Sequence, residues 1–349
     1  MRFLALEHVL PSRQVTNAEV LTAVRHASAR HLPASDLDVV DRLLRSSFDS
    51  CGTTVRYHCG AGELPHELAL RAGEQALSAA GTDRDEIDLL IYTGVARAVV
   101  EPAAATALQA GLGLRNATAF DVSDACASWV RSLDLARHLV ATGAHRRIMI
   151  LNAEFGSRQS HHYELRSLEN FPSWHPGLTV GEAATATIVA DDDENDHYEA
   201  SFRTYGDRWQ LCYVPLANAG DWFGHHAPEA GAAEPMRFVS HGLRLMEFAL
   251  ARLVEHYRDR PEYEQFKPDV IFGHSASDGM SRLLATRCGL DPDRFRLGHH
   301  ETANTVSASV PVAMSRAIGR GQLVDGDRVV LLVASSGVTT ALTKFVYRS

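Results

Sequence analysis

The chain has 349 residues, of which 45% are hydrophobic and 22% charged, and a formal net charge of −9. This composition is typical of a globular protein with room for two medium domains or two fused half-domains, and the acidic balance argues against nucleic acid or an anionic membrane surface as a partner. No apolar run approaches the ~20 residues needed to span a bilayer. The N-terminal segment carries an early Glu7 and lacks a signal-peptide pattern, so a cytoplasmic protein is expected.

Cysteine and histidine spacing predicts neither a disulfide framework nor a metal site. The five cysteines are odd in number and scattered, without a C-x-x-C pair. Three His-His pairs occur, at 161–162, 225–226 and 299–300, but none has metal-ligand spacing. We therefore expect no metal and no tightly bound cofactor.

Helix-period segments alternate with short apolar runs, which predicts an α/β protein. The elements predicted in the first part of the chain are helices over 63–80, 102–109 and 128–142 and strands over 89–92, 119–122 and 147–152. Pro102 suits the first turn of its helix. The acidic run at 191–196 is expected to form a solvated turn.

The second part of the chain repeats this order of elements. It predicts helices over 243–256, 280–288 and 306–318 and strands over 268–273 and 328–333. AHRRIMILNAEFG and GDRVVLLVASSGV each run from a strand into a small-residue turn, which suggests an internal duplication with halves 1–192 and 193–349. We expect a site where the strand ends and helix starts of the two halves meet.

Three residues at such ends form a candidate catalytic set. Cys126, in DVSDACASWVRSLDLA, lies between a strand and a helix start, which predicts a lowered thiol pKa; the alternative is an inert buried cysteine. His274 follows the strand PDVIFG, and Asn304 precedes a helix, where a capping role is the alternative. A cysteine nucleophile with a histidine and an amide donor suits acyl transfer through a thioester.

Five segments together resemble the β-ketoacyl-ACP synthase III branch of the thiolase superfamily over nearly the whole chain. They are FDVSDACAS, GEAATATIV, PDVIFGH, ANTVSASVP and LLVASSGVTT, in agreeing order and approximate spacing. The resemblance implies a thiolase fold, with two βαβαβ halves in a five-layer αβαβα arrangement, and a homodimer.

The resemblance also implies roles for named residues. Cys126 would be acylated by an acyl-CoA or an acyl-carrier-protein thioester. His274 and Asn304 would bind the carbonyl of the second thioester and stabilise its enolate. Backbone N–H groups of Cys126 and of the Ser336-Gly337 turn would form the oxyanion hole.

Some residues depart from the enzymes of fatty-acid synthesis. Residues 275–278 read Ser-Ala-Ser-Asp where those enzymes usually have Gln-Ala-Asn, a segment associated with carrier-protein docking. Residues 335–337 read Ser-Ser-Gly in place of a triple glycine. Trp129 would be a large side chain near the acyl-binding site, with a position in the helix core as the alternative. These departures predict a specialised lipid or secondary-metabolite pathway.

Glu101, followed by Pro102, stands where a decarboxylating synthase III typically has Phe or Thr. It is similar to the Glu-Pro of the thiolases of bacterial long-chain olefin synthesis, which join two acyl-CoA molecules without decarboxylation and take a glutamate base from the partner subunit. If no CO2 leaves, a group must remove the α-proton, and a partly desolvated carboxylate is suitable. The alternative is that Glu101 caps the helix begun by Pro102.

The predicted function is therefore a non-decarboxylative Claisen condensation of two acyl thioesters. Alternatives are decarboxylative condensation with a malonyl thioester and acyl transfer to an amine or hydroxyl. Two motifs of other classes are incomplete: GHSAS at 273–277 lacks the last glycine of G-x-S-x-G, and GLGLRN at 111–116 lacks the third small residue of the dinucleotide fingerprint. A catalytically inactive scaffold would not need the intact Cys-His-Asn set.

Overall fold

The computed structural model describes residues 1–192, 197–274 and 276–349. The elements up to residue 190 are β1 (Arg2–Val9), β2 (Arg13–Thr16), α1 (Asn17–Ser28), α2 (Ala34–Cys51), β3 (Val55–His58), α3 (Pro65–Ala80), β4 (Leu89–Thr93), α4 (Ala104–Gly111), β5 (Thr118–Val122), α5 (Ser128–Ala141), β6 (Arg147–Glu154), α6 (Phe171–Trp174) and β7 (Ala183–Ala190). Those that follow are β8 (Glu199–Thr204), β9 (Cys212–Tyr213), α7 (Ala219–Phe223), α8 (Pro228–Ala232), β10 (Val239–Ser240), α9 (Gly242–Arg258), α10 (Pro261–Phe266), β11 (Val270–Gly273), α11 (Asp278–Arg287), α12 (His299–Thr302), α13 (Ser309–Gly319), β12 (Arg328–Ser335) and β13 (Thr339–Val346).

Two sheets with matching strand order form the centre of the molecule. The first has the order β1-β7-β6-β4-β5, with β4 parallel to β5 and β6, and β7 antiparallel to β6 and β1. The second has the order β8-β13-β12-β11, with β11 parallel to β12 and the other pairs antiparallel. The counterpart of β5 is reduced to a single parallel bridge between Ile271 and Phe295. This correspondence supports the predicted duplication.

The sheets and helices stack in five layers. Helices α5 and α13 lie between the two sheets and share one core with them, in which Leu133, Ile150, Met314 and Leu331 are buried. Helices α3 and α4 cover the outer face of the first sheet, and α9 and α11 cover that of the second. The predicted αβαβα arrangement is confirmed. No helix in the described ranges is long and apolar enough to cross a bilayer.

The predicted element boundaries differ from the observed ones at two helix starts that border the site. Helix α4 begins at Ala104, not at Pro102, because the Asp121 carboxylate accepts hydrogen bonds from the N–H groups of Ala104 and Ala105, each at 2.9 Å. The helix predicted over 306–318 opens with a 3-10 turn before α13. The predicted acidic turn lies largely at 193–196, outside the described residues, and the division into halves at 192 and 193 stays a prediction.

Candidate active site

The predicted catalytic residues meet in one cavity between the two halves. Cys126, His274, Asn304 and Ser336 all line this cavity, whose volume is about 930 Å³. They come from the start of α5, the end of β11, the segment before α13 and the end of β12. Strand ends and helix starts from both halves therefore converge, as the duplication predicts.

A sharp turn presents Cys126 to the cavity. The residue lies in a 3-10 turn, Ala125–Ala127, directly before α5, and Ala125 has a φ of 45°. This left-handed conformation is uncommon for a residue other than glycine. The Ser128 hydroxyl holds the turn, because it donates to the Ala125 carbonyl at 2.6 Å and accepts from the Asp124 N–H at 2.7 Å.

Burial raises the pKa of the Cys126 thiol, and the nearby Cys212 and Glu154 raise it further. The backbone N–H groups of Ser336 and of Cys126 itself act in the opposite direction but do not outweigh burial. The lowered pKa predicted from the helix start is therefore wrong, because desolvation dominates over the helix terminus.

The same two N–H groups are directed at the Cys126 sulfur. Ser336 lies in the turn between β12 and β13, where Gly337 has a φ of 106°, a conformation that favours glycine. Two backbone donors beside one nucleophile are the arrangement that stabilises an oxyanion in acyl transfer.

His274 is held by the segment that carries Asn304. Its Nδ1 lies 3.2 Å from the Val306 carbonyl oxygen. Since a carbonyl only accepts, Nδ1 carries the proton, and in the neutral ring Nε2 has a free lone pair. Burial lowers the pKa of His274 to about 4, so the ring is neutral at physiological pH.

Asn304 has a fixed side-chain orientation. Its Oδ1 accepts a hydrogen bond from the Val306 N–H at 2.9 Å, which leaves its Nδ2 group to donate. Its backbone carbonyl accepts from the Gly181 N–H at 2.9 Å. A Cβ on Gly181 would lie 2.4 Å from the Thr302 carbonyl oxygen, so this close approach requires glycine. Val306 has a φ of 52°, a strained value for a β-branched residue.

Glu101 is exposed and does not belong to the described residues that line this chain's own cavity. Glu101 lies in the loop between β4 and α4, and the residues before it in this loop, from Val95 to Val100, do line the cavity. The N–H groups at the start of α4 are capped by Asp121, so the alternative in which Glu101 caps that helix is wrong.

Trp129 lies in the core between the two sheets. Its side chain is fully buried, and its Nε1 donates to the Thr187 hydroxyl at 3.1 Å. It is absent from the described residues that line the cavity. The substrate-binding assignment is thus corrected in favour of the helix-core alternative, because the first turn of α5 directs this side chain away from the cavity.

Sequence reasoning missed Glu154, Cys212 and an apolar wall of the cavity. The wall comes from one face of α9, at Leu245, Met246, Ala249, Leu250 and Leu253. Its signal was present in the amphipathic pattern of the predicted helix. Glu154 had a weaker signal, a single carboxylate at the end of an apolar strand. Nothing in the sequence around Cys212 pointed to the cavity.

The motifs of other enzyme classes gain no support. Ser275, the central serine of GHSAS, lies outside the described residues. Residues 111–116 follow a helix and precede a strand, whereas the dinucleotide fingerprint needs a turn from strand to helix. Within the described ranges, no group of three or more His, Cys, Asp or Glu side chains could hold a metal ion.

Comparison with known sequences identifies similar proteins. A family model described as 3-oxoacyl-[acyl-carrier-protein (ACP)] synthase III matches residues 120–206, and the model of its C-terminal part matches residues 261–345. β-Ketoacyl-[acyl-carrier-protein] synthase III 3 of Streptomyces coelicolor is 29% identical over 339 residues, which cover 95% of this chain and 92% of the relative. The β-ketoacyl-[acyl-carrier-protein] synthase III of Ruegeria pomeroyi is 28% identical over 336 residues, which cover 95% of this chain and 94% of the relative.

Solved structures show the same fold. The 3-oxoacyl-[acyl-carrier-protein] synthase III of Aquifex aeolicus has a TM-score of 0.80 at 20% identity, with 99% of each chain covered. OleA of Xanthomonas campestris has a TM-score of 0.83 at 20% identity, with 99% of this chain and 96% of that chain covered. These similarities confirm the predicted thiolase fold.

The raised pKa of Cys126 predicts a distinctive pH dependence of alkylation. Since the thiolate is the nucleophile, its fraction at neutral pH should be lower than in an ordinary cysteine. The rate of iodoacetamide labelling at Cys126 should still rise at a pH where labelling of a cysteine-containing peptide has levelled off. Peptide-mapped mass spectrometry between about pH 6 and 11 measures this. A midpoint at or below that of the peptide would contradict the prediction.

Proposed function

We propose that this chain, a β-ketoacyl-ACP synthase III-like acyltransferase of the thiolase superfamily, joins two acyl thioesters in a Claisen condensation without decarboxylation. The observation that carries the proposal is the meeting of Cys126, His274 and Asn304 in one apolar cavity, beside the loop that bears Glu101. The thioesters are those of coenzyme A or of an acyl carrier protein, the carrier named in its relatives. We assign the enzyme to the cytoplasm and to a specialised lipid or secondary-metabolite pathway.

In the first half-reaction, Cys126 attacks the carbonyl of an acyl thioester. The N–H groups of Cys126 and Ser336 receive the oxyanion of the tetrahedral intermediate. The thiol of the carrier leaves as the Cys126 thioester forms, and the proton of the Cys126 thiol passes to it. One thiol is exchanged for another, so this step needs no net uptake or release of protons.

In the second half-reaction, a second thioester loses its α-proton and its enolate attacks the carbonyl of acyl-Cys126. The thioester bond to Cys126 breaks as the carbon–carbon bond is established, and the released Cys126 thiolate takes back the abstracted proton. The amide Nδ2 of Asn304 donates to the enolate oxygen, since its Oδ1 is already engaged by Val306. His274 is neutral before charge develops, and the negative charge on this oxygen favours uptake of a solvent proton at Nε2, which then donates to the oxygen and is released when that charge is lost. Both groups act on charge that appears only in the transition state.

The α-proton is removed by Glu101 supplied from the partner subunit of a homodimer. Three features support this assignment. Glu101 is exposed on its own chain, it follows the exposed apolar residues Val99 and Val100, and the edge strand β5 exposes Phe120. An exposed apolar sheet edge is commonly covered by another chain.

Decarboxylative condensation with a malonyl thioester is the second candidate. It is favoured by the names of the relatives, which are 29% and 28% identical and are β-ketoacyl-[acyl-carrier-protein] synthases III. That reaction needs Cys126, His274 and Asn304 but no added base. Acyl transfer to an amine or hydroxyl fits less well, because it forms no enolate for Asn304 to stabilise.

The cavity also favours a long acyl group. Its volume of about 930 Å³ lies near the upper end for small-molecule sites, and its wall on α9 is apolar. Each additional methylene group buried against this wall contributes about 0.8 kcal/mol, roughly a fourfold change in affinity.

Removing the nucleophile or the enolate donors should separate the two half-reactions. Cys126→Ala should abolish both the acyl adduct and turnover. His274→Ala and Asn304→Ala should still form acyl-Cys126 but should condense roughly 10²–10³ times more slowly. Intact-protein mass spectrometry and single-turnover kinetics measure the two steps. If acylation collapses with condensation, these residues act in the first half-reaction and the proposed role is wrong.

Glu101→Gln should distinguish the two modes of condensation. In a non-decarboxylating enzyme, it should abolish condensation of two non-malonyl thioesters and the wash-in of deuterium at the donor α-carbon, while acyl-Cys126 still forms. In a decarboxylating enzyme, malonyl-dependent turnover should remain near the wild-type rate. A variant that condenses non-malonyl thioesters at the wild-type rate would end the assignment of Glu101 as base.

Mixed dimers test whether the base comes from the partner. Co-expressed Cys126→Ala and Glu101→Gln chains should form heterodimers that contain one intact site, in which the functional Cys126 and the functional Glu101 belong to different chains. Such dimers should recover part of the activity that each variant lacks alone. No recovery, with heterodimers verified by differential tags, would place both residues of a working site on one chain.

Ala249→Phe should shorten the acyl group that the enzyme accepts, because Ala249 lies in the middle of the apolar wall. Loading of acetyl and other short chains should persist. Loading of long chains should fall at least tenfold, because each methylene group that can no longer be buried costs about 0.8 kcal/mol, or roughly fourfold in affinity. The matched control is Ala251→Phe, on the exposed face of the same helix. Competitive acylation with a panel of acyl-CoAs measures both, and an unchanged chain-length profile in Ala249→Phe would contradict this reading of the cavity.

A further inference from the structure

A buried carboxylate with no part in the proposed chemistry lies on the wall of the cavity. Glu154 is the last residue of β6 and is only 2% exposed. A carboxylate is seldom buried so completely without partners that stabilise its charge. Its contacts therefore indicate what it does.

The two oxygens of Glu154 join two separate segments. On one side they accept from the N–H groups of Val95 at 3.1 Å and Ala96 at 3.3 Å, at the start of the loop that bears Glu101. On the other side they accept from the N–H group of Ser307 at 3.4 Å and from the Ser307 hydroxyl.

Ser307 belongs to the turn that orients the two enolate donors. Val306, its neighbour, offers its carbonyl to His274 and its N–H to Asn304. The Ser307 hydroxyl accepts from the Asn152 amide at 2.7 Å, so its own hydrogen is directed to Glu154. Burial raises the pKa of Glu154, and the hydrogen bonds from Ser307, Val95 and Ala96 act in the opposite direction. These partners are all donors, the arrangement that suits a carboxylate acceptor.

We propose that Glu154 is a positioning residue that fixes the loop of Glu101 relative to the turn of Asn304 and thereby serves condensation rather than acylation. This inference rests on the proposed function, because the loop matters only if Glu101 takes part in the reaction. Cys126 and its oxyanion donors are held by other contacts, through Ser128 and the β12–β13 turn. Loss of Glu154 therefore leaves the acylation geometry in place.

The test is Glu154→Gln, assayed in the full-length homodimer. Glutamine keeps the size of the side chain, but its NH2 group only donates and would face other donors. The hydrogen bonds to one of the two segments, the loop at 95–96 or the turn at Ser307, are therefore lost. Condensation should fall by up to roughly 10²-fold through misplacement of the reacting groups, with a lower kcat. The single-turnover rate of Cys126 acylation should not fall more than about twofold, because the contacts that hold Cys126 remain and because loss of the Glu154 charge, which raises the pKa of the thiol, favours the thiolate.

Glu182→Gln is the matched control. Glu182 is 1% exposed and also accepts from donors on two segments, the Cys59 N–H at 2.7 Å and the Ser157 N–H at 3.2 Å and hydroxyl at 2.5 Å. It is absent from the described residues that line the cavity. Glu182→Gln should change the free energy of unfolding by about as much as Glu154→Gln does. It should leave the ratio of the condensation rate to the acylation rate unaltered. An equal loss of both half-reactions in the two variants would overturn the proposal.

Hydrogen exchange gives a readout that does not depend on activity. In Glu154→Gln, the amides of residues 95–96 and 306–308 should exchange faster, whereas peptides from α5 should be unchanged. If Glu154→Gln does not fold, Ser307→Ala removes one side of the same contact and should shift the same peptides. Unchanged exchange in a folded variant would overturn the positioning role even if condensation fell. The two proposals can fail separately. If the wild-type enzyme condenses no thioester but hydrogen exchange in Glu154→Gln rises as expected, the proposed function is refuted, whereas the contact of Glu154 with the two segments is still supported.

Discussion

Desolvation of the cavity is the constraint on which the chemistry depends. Burial raises the pKa of the Cys126 thiol and lowers that of His274 to about 4, so both groups are neutral at physiological pH. A thiolate-imidazolium pair would need compensating charge that the apolar wall does not supply. In the proposed mechanism, the backbone N–H groups beside the sulfur provide electrostatic stabilisation when negative charge develops on a bound thioester. Cys126 and His274 are thus uncharged, whereas the carboxylate of Glu154 on the same cavity wall is held by hydrogen-bond donors.

The duplicated architecture explains why these groups meet. Each half places a 3-10 turn before its central helix, at Ala125–Ala127 and at Val306–Ala308, and each turn begins with a residue of positive φ. Cys126 and Ser307 occupy the same position in the two turns. One copy presents Cys126, the proposed nucleophile, whereas the other binds Glu154 and orients His274 and Asn304 through Val306. The same strained element thus serves reactivity in one half and positioning in the other.

The sequence predicted what depends on local pattern. The order of helices and strands, the five layers and the convergence of Cys126, His274 and Asn304 follow from periodicity, from element ends and from a resemblance spread over five segments. What it could not predict depends on contacts between distant segments. The pKa of Cys126 is set by burial from both halves, the start of α4 by Asp121, and the orientation of Trp129 by the packing of α5 between the sheets. Glu154 was missed because its partners lie about 60 residues before it and about 150 residues after it, a pairing that only the fold creates.

Glu101 shows why one chain is an incomplete description of the proposed enzyme. Its loop is fixed at one end by Glu154, and its apolar residues line the cavity, yet the carboxylate itself is exposed. Water that hydrates an exposed carboxylate weakens it as a base, and removal of that water strengthens it. A partner subunit seated on β5 would cover Val99, Val100 and Phe120 and would remove water from Glu101 in the same event. Dimer formation and activation of the base would then be one process, so the enzyme would acquire its ability to form a carbon–carbon bond only in the assembled state.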